Sequence, residues 1–104
     1  MFNSITGRLT GKTAESVRLT AGAIEWEMTV SGQTAAALPE PGQEARIFTY
    51  LHHREDLLKL YGFASEAERT LFRQLLKISG IGAKLALTIL SGASGAELTQ
   101  YVAD

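Results

Sequence analysis

The sequence predicts a mainly β fold with added helices: a five-stranded barrel over residues 1–63, followed by helices over residues 64–104. Apolar residues alternate with polar ones in the first part, which is typical of half-buried strands. In the second part they recur at spacings of three and four, which is typical of amphipathic helices. A chain of 104 residues suffices for one mid-sized domain or two very small ones.

The first part contains five segments of strand character, separated by turns that are rich in glycine or proline. They are NSITGRLTGK (3–12), SVRLTA (16–21), AIEWEMTV (23–30), EARIFTYLHHRE (44–55) and LLKLYGF (57–63). Gly7 and Gly11 interrupt the first segment, which indicates a bent or bulged strand. Gly22 stands at a hairpin position between the second and third segments. Short and strongly bent strands favour a small closed barrel over an open sheet.

The third segment shows the strand alternation most clearly. Its polar residues, Glu25, Glu27 and Thr29, are expected to face solvent. The buried face is expected to consist of Ile24, Trp26, Met28 and Val30. After this segment, LPEPGQ (38–43) has the composition of a turn.

Three helices are predicted in the second part. The first covers about residues 65–78, the second about residues 83–91 with Gly92 at its end, and the third runs from residue 94 onwards. The first and third begin with an S-x-x-E capping box, in which a serine and a glutamate satisfy the free amides of the first turn. The capping pairs are Ser65 with Glu68 and Ser94 with Glu97.

The first two helices are separated by two glycines in the stretch KISGIGAKLALTIL (77–90). Gly80 suits the left-handed backbone that often follows a helix end, and Gly82 lets an outside group approach the main chain. Ile81 is expected to cap the apolar crevice between the helices. The amides of Gly82, Ala83 and Lys84 lie at the positive end of the second helix without intrahelical partners, which predicts an anion site.

Residues 75–90 match the pattern h-x-x-h-x-G-h-G-x-x-x-A-x-x-h-h, in which h is an apolar residue. The pattern resembles a helix-hairpin-helix motif, which binds a nucleic-acid phosphate through hairpin amides without reading the base sequence. The alternative is a plain helical hairpin with a glycine-rich turn. The matching residues are Leu75, Ile78, Gly80, Ile81, Gly82, Ala86, Ile89 and Leu90.

Charge supports a nucleic-acid partner locally but not over the whole chain. The net charge is −1, so no overall basic excess indicates nucleic-acid binding. Between Arg69 and Ala96, however, there are four basic residues and no acidic one. Three of them form a stripe at i, i+4 and i+8, which also fits an ordinary solvated helix face. The four are Arg69, Arg73, Lys77 and Lys84, of which Lys84 is the better candidate for a phosphate contact.

Several classes of protein are disfavoured by what the sequence lacks. There is no cysteine, which excludes disulfides and thiolate metal sites. His52 and His53 are adjacent, so in a strand they point to opposite faces and are not expected to share a metal. We therefore expect no metal and no cofactor. No stretch has the length and apolarity of a membrane span, and the N-terminus does not have the pattern of a signal peptide, so a cytoplasmic location is expected.

Longer strings in this sequence are similar to the bacterial RuvA family: GRLTGK (7–12), REDLLKLYGF (54–63), ERTLF (68–72) and GIGAKLALTILSG (80–92). The resemblance extends from about Ile5 to the end of the chain. It implies a barrel of the oligonucleotide-binding (OB) type followed by a helix-hairpin-helix domain. It also implies structure-specific binding of the four-way (Holliday) junction, as a homotetramer, in recombination and DNA repair.

The resemblance further implies a non-catalytic role and two protein partners. The family works with the RuvB ATPase, which moves the DNA, and with the RuvC resolvase. Glu55 and Asp56 match the family's acidic pin, a turn that projects at the junction centre. Arg54 is expected either to offset part of that charge or to contact DNA, and Lys77 is a further possible DNA contact.

The chain departs from the family pattern in a few places. Ala83 replaces the usual proline after the second glycine, and Trp26 stands at a usual tyrosine position. The family's second helix-hairpin-helix motif and its RuvB-binding C-terminal domain are expected to be missing from residues 64–104.

Three rival hypotheses remain open. One is a helix-hairpin-helix module of another repair protein, such as a nuclease or a ligase. Another is an enzyme in which the Glu55 and Asp56 carboxylates and His52 or His53 hold a metal. The third is a purely structural domain that binds no nucleic acid.

Overall fold

A computed structural model of the chain describes residues 2–92, and these form five strands and three helices. The predicted third helix, with its capping pair Ser94 and Glu97, lies outside the described residues. The elements are β1 (Ser4–Lys12), β2 (Ser16–Ala21), β3 (Ile24–Thr29), α1 (Gly32–Ala37), β4 (Glu44–Arg54), β5 (Leu57–Phe63), α2 (Glu66–Leu76) and α3 (Ala83–Gly92).

The five strands close into a barrel in the order β1-β2-β3-β5-β4. Neighbouring strands are antiparallel except for β3 and β5, which meet in parallel at the pair Thr29 and Tyr61. This is an OB-fold-like barrel. The predicted five-stranded barrel is therefore confirmed.

Strand β1 closes the barrel because it bends and pairs on both of its sides. Its first half, from Ser4 to Arg8, pairs with β4, and its second half pairs with β2. The register with β2 shifts between Leu9 and Gly11, which confirms the predicted irregularity. At Gly7 the chains approach so closely that an added Cβ atom would lie 2.2 Å from the carbonyl oxygen of Thr20.

The barrel interior is filled by apolar side chains from all its strands except β5, and by residues of the β3–β4 connection. The buried set is Ile5, Leu9, Val17, Leu19, Met28, Val30, Ala35, Leu38 and Ile47, with Leu60 of β5 packed against it. The expectation for Ile24 is wrong, because it is 55% exposed. It pairs with Ala21 at the end of the β2–β3 hairpin, at the last rung of that pairing. Trp26 is half-buried, and the ring of Phe2 packs edge-on against it at 5.4 Å.

Helix α1 was not predicted from the sequence, because six residues are too few to show helical periodicity. Its local signal is Ser31, whose hydroxyl oxygen accepts a hydrogen bond from the amide of Thr34 at 3.0 Å. This is a serine N-cap, and an alanine-rich run follows it. Thr34 and Ala35 are buried, so α1 packs into the structure.

The start of α2 differs from a complete capping box. The Ser65 hydroxyl oxygen accepts a hydrogen bond from the Glu68 amide at 3.2 Å, as the pattern predicts. The Glu68 carboxylate, however, accepts hydrogen bonds from the hydroxyls of Ser31, at 2.7 Å, and Thr34. In a complete capping box, Glu68 would bond to an amide at the start of α2. Here its carboxylate instead joins α2 to α1.

Helix α1 also contacts α3. The Gly32 amide donates to the Ser91 hydroxyl oxygen at 2.8 Å, and this hydroxyl donates to the Leu87 carbonyl oxygen at 2.8 Å. A second apolar core lies where α2 and α3 pack together on strands β4 and β5. Its buried members are Tyr61, Phe63, Phe72, Leu75, Ala86, Leu87 and Leu90.

The close approach at Gly7 predicts a selective loss of stability on substitution. We expect Gly7→Ala to lower the free energy of unfolding by about 2 kcal/mol, because the new methyl group collides with main-chain atoms that cannot rotate away. Gly11→Ala is the matched control in the same strand, since its Cβ atom would be 3.7 Å from its nearest neighbour, in the Arg18 side chain. Urea denaturation measures both. Equal stability of the two variants would contradict the described packing of β1.

Candidate nucleic-acid interface

Strands β4 and β5 extend beyond the barrel as a two-stranded ribbon of residues 51–60. Strand β1 pairs with β4 only as far as Phe48, and β3 meets β5 only at Tyr61. The ribbon's turn holds Glu55 and Asp56, both exposed, between the paired residues Arg54 and Leu57. We call these two carboxylate residues the acidic tip.

The two faces of the ribbon differ in chemistry. His52 pairs with Lys59, and their face continues into Tyr50 and Tyr61, which pack against α2. The His52 ring lies 6.2 Å from that of Tyr50 and 6.3 Å from that of Tyr61. His53 is on the other face, opposite Leu58. The predicted opposite orientation of the two histidines is confirmed.

Residues 77–82, the glycine turn, connect α2 to α3. The Ile81 amide donates to the Ile78 carbonyl oxygen at 3.1 Å, so residues 78–81 form a β-turn. Gly80 occupies its third position with φ +88°, which matches a type II turn and requires a residue without steric restriction there. The left-handed backbone predicted for Gly80 is confirmed, although α2 ends earlier than expected, at Leu76.

Gly82 is the N-cap of α3, because its carbonyl oxygen accepts the first helical hydrogen bond, from the Ala86 amide at 2.9 Å. The amides of Gly82, Ala83, Lys84 and Leu85 have no hydrogen-bond partner among residues 2–92. Among residues 2–92, no atom outside the adjacent residues lies within 4 Å of a Cβ atom built on Gly82, so the space in front of it is open in this part of the chain. Ile81 packs against the second core, as predicted.

The basic stripe on α2 is divided between two roles. Arg69 is turned into the structure, where its guanidinium donates to the carbonyl oxygens of Asn3 (2.8 Å) and Thr49 (3.2 Å). It also lies 3.8 Å from the Glu66 carboxylate. Arg73 and Lys77 are exposed, and within the described part of the chain neither forms an ion pair. Arg69 therefore holds α2 against the barrel.

Lys84 and Arg54 are also exposed and have no carboxylate within ion-pair distance in the described region. Lys84 follows the N-cap by two residues, so its charge lies beside the free amides. Arg54 adjoins the acidic tip without forming an ion pair to it.

A groove of about 560 Å³ lies between α3 and the barrel, and we call it the α3 groove. Lys84, Thr88 and Ser91 line it from the helix, and Lys59 and Tyr61 line it from β5. Burial, with a smaller contribution from Tyr50, raises the pKa of the Tyr61 hydroxyl above its ordinary value, which lies well above physiological pH. Sequence reasoning missed Lys59, although the alternation of LLKLYGF places it on the same face as Tyr61.

The described region contains no set of side chains that could hold a metal ion, so it does not support the metal-enzyme hypothesis. No three histidine, aspartate or glutamate side chains among residues 2–92 gather closely enough to hold a metal ion. Within the same residues, no helix has both the length and the apolar character needed to cross a membrane.

The closed barrel and the helical pair packed on it define an OB-fold-like protein with an appended helical region. A family model described as "RuvA N terminal domain" matches residues 1–62. The chain is 47% identical over its full length to "Holliday junction branch migration complex subunit RuvA" of Treponema denticola, of which it covers 52%. It is 43% identical over its full length to the protein of that name from Thioalkalivibrio sulfidiphilus, of which it covers 52%. Over 98% of its length it is 46% identical to that of Bordetella pertussis, of which it covers 54%.

The chain belongs to the RuvA family, which confirms the resemblance noted in its sequence. It spans about half the length of the curated relatives it matches.

The type II turn predicts a specific cost of substitution at Gly80. We expect Gly80→Ala to lower the free energy of unfolding by about 1–2 kcal/mol, because an alanine side chain disfavours the left-handed backbone. Gly80→Asn should lose less, since asparagine tolerates this conformation better. Thermal unfolding followed by circular dichroism compares the two. An alanine variant as stable as the parent chain would contradict the turn geometry.

Proposed function

We propose that this chain binds four-way junction DNA as the DNA-binding part of a RuvA subunit of the branch-migration complex in homologous recombination and DNA repair. The single observation that carries the proposal is the set of four free amides at the start of α3, beside an open Gly82 and an exposed Lys84. These groups have the chemistry of a phosphate site. The names of the relatives supply the junction as the DNA structure.

In this proposal, α2, the glycine turn and α3 act as a helix-hairpin-helix motif. A phosphate oxygen accepts hydrogen bonds from the amides of Gly82, Ala83 and Lys84, while the Lys84 ammonium adds a charge contact. Gly80 and Ile81 set the turn that presents these amides. Such contacts are independent of base sequence, because every nucleotide carries the same phosphate. Lys77 and Arg54 are further candidates for phosphate contacts.

The acidic tip is proposed to act by repulsion, as a pin at the centre of the junction. Two unit charges 4 Å apart interact by about 1 kcal/mol in bulk water and by about 4 kcal/mol at an effective dielectric constant of 20. In a homotetramer, the tips of four copies would meet at the crossover. Their carboxylates would then repel phosphates, guide the strands apart and keep the centre from being held tightly.

The proposed role is non-catalytic and the proposed location is the cytoplasm. ATP hydrolysis is assigned to a RuvB partner, which the relatives' C-terminal domain would contact, and RuvC is a further proposed partner. A helix-hairpin-helix module of an unrelated nuclease or ligase would share the phosphate site, but membership of the RuvA family disfavours it.

Gly82→Ser tests the phosphate site directly. A serine is a good N-cap, and its hydroxyl oxygen would accept a hydrogen bond from one of the free amides of α3. We therefore expect unchanged or slightly higher stability, together with about tenfold weaker binding to a labelled junction, measured by fluorescence anisotropy at low salt. This opposite movement of stability and binding separates a blocked site from a damaged fold. Undiminished binding would contradict the proposal.

The parent chain gives the reference for that experiment. Non-specific DNA binding through basic surfaces has dissociation constants of about 10⁻⁴ to 10⁻⁶ M. We expect a monomer of this chain to bind the junction with a dissociation constant in this weak range or with still lower affinity, because avidity from linked sites is missing. We also expect that it does not stimulate RuvB. Nanomolar junction binding by a monomer would contradict this expectation.

The acidic tip is tested by reversing its charge in the double variant Glu55→Lys and Asp56→Lys. We expect altered junction geometry, read from fluorescence energy transfer between labelled arms, because attraction replaces repulsion at the centre. Binding to a plain duplex should not weaken. The control is Glu44→Lys with Glu40→Lys, which makes the same change of charge outside the ribbon. An unchanged junction geometry in the tip variant would contradict the role as a pin.

A further inference from the structure

The α3 groove connects two regions of the interface. Lys84 lines it next to the free amides of α3, and Lys59 lines it from the ribbon. Lys59 follows Leu57, the first residue after the acidic tip, by two positions, which is about 7 Å along a strand. The groove therefore extends from the proposed phosphate site towards the acidic tip and has one lysine on each of its sides.

Lys59 is available for an external partner. Its side chain is exposed, and among residues 2–92 no carboxylate lies within ion-pair distance of it. Its ammonium lies 5.6 Å from the centre of the Tyr61 ring, within the range of a cation–π contact. This contact holds the ammonium over the ring without neutralising its charge. By comparison, Lys12 and Arg18 each form an ion pair with a glutamate.

We propose that Lys59 binds a second phosphate of the DNA strand whose first phosphate is held by the amides of α3. This inference rests on the proposed function and adds a path to it, from the start of α3 across the α3 groove to the ribbon. The strand meets attraction at Lys59 and repulsion at the acidic tip, whose nearer residue, Asp56, is three positions away, about 10 Å along a strand. Lys59 thus fixes the strand at the point before it is turned away.

Glu15 is the acidic residue that lines the same groove, and it gives the proposal a second test. It is exposed, and within the described residues it forms no ion pair with either lysine of the groove. A phosphate in the groove is repelled by this carboxylate. Removing the charge of Glu15 should therefore strengthen DNA binding, whereas removing the charge of Lys59 should weaken it.

The experiment measures binding of labelled four-way junction and duplex DNA to four forms of the chain: the parent, Lys59→Gln, Glu15→Gln and Arg8→Gln. We expect Lys59→Gln to raise the Kd about fivefold near 50 mM salt. The association constant should also depend less steeply on salt, with the magnitude of the slope of its logarithm against log salt smaller by about 0.9. The ratio of the two Kd values should then fall about 3.5-fold between 50 and 200 mM salt, from about five to about 1.4. Glu15→Gln should lower the Kd two- to threefold.

Arg8→Gln is the matched control, because it removes one positive charge from an exposed position on β1 outside the groove. If it weakens binding as much as Lys59→Gln, the effect is one of net charge and the inference is wrong. The inference is also wrong if Lys59→Gln changes neither the Kd nor the salt slope. An unchanged unfolding midpoint shows that Lys59→Gln, which also removes the cation–π contact with Tyr61, leaves the fold intact.

The Gly82→Ser variant distinguishes failure of this inference from failure of the proposed function. If Gly82→Ser weakens binding while Lys59→Gln does not, the result supports the amide site and contradicts the path through the α3 groove. If Gly82→Ser has no effect on binding, the result contradicts both the proposed phosphate site and this inference, which rests on that site. Loss of binding in both variants, with none in Arg8→Gln, supports the two-phosphate path.

Discussion

The position of the helical pair depends on the contact of one aromatic side chain with the barrel wall. Phe72 of α2 is fully buried, and its ring centre lies 5.5, 5.2 and 5.0 Å from those of Tyr50, Tyr61 and Phe63. Tyr50 and Tyr61 belong to the two strands that continue into the ribbon. The same contact therefore fixes the spacing between the glycine turn and the acidic tip, the sites of the proposed attraction and repulsion.

Polar contacts through α1 complete this arrangement. Glu68 joins α2 to the start of α1, and Ser91 joins α3 to it. The bond to Glu68 is partly buried and has narrow geometric requirements, because an unmade bond there leaves a polar group without a partner, whereas the bond to Ser91 is exposed. Apolar packing thus supplies most of the adhesion between helices and barrel, while the α1 contacts select one orientation. In the proposed complex, both are needed to direct the free amides and Lys84 towards the same DNA strand as the ribbon.

Local patterns in the sequence were sufficient for the strands, for α2 and α3, and for the left-handed Gly80, because each depends on short-range sterics or on alternation. Contacts between distant segments were not accessible in this way. Alternation placed Ile24 on a buried face, but the barrel leaves it exposed at the hairpin end. The capping box assigned Glu68 to its own helix turn, although α1 provides its partners. The place of Lys59 beside α3 depends on a groove between β5 and α3, which no local pattern encodes.

The central claim is that DNA phosphate binds the free amides at the start of α3. The most direct measurement is a titration of the ¹⁵N-labelled chain with a four-way junction, followed by the amide resonances in two-dimensional NMR spectra, which detect weak binding. The account predicts saturable shifts at Gly82, Ala83, Lys84 and Leu85 that are larger than those on the outer face of β1 and that weaken with salt. Unshifted resonances at these four amides, with binding seen elsewhere on the chain, would contradict it.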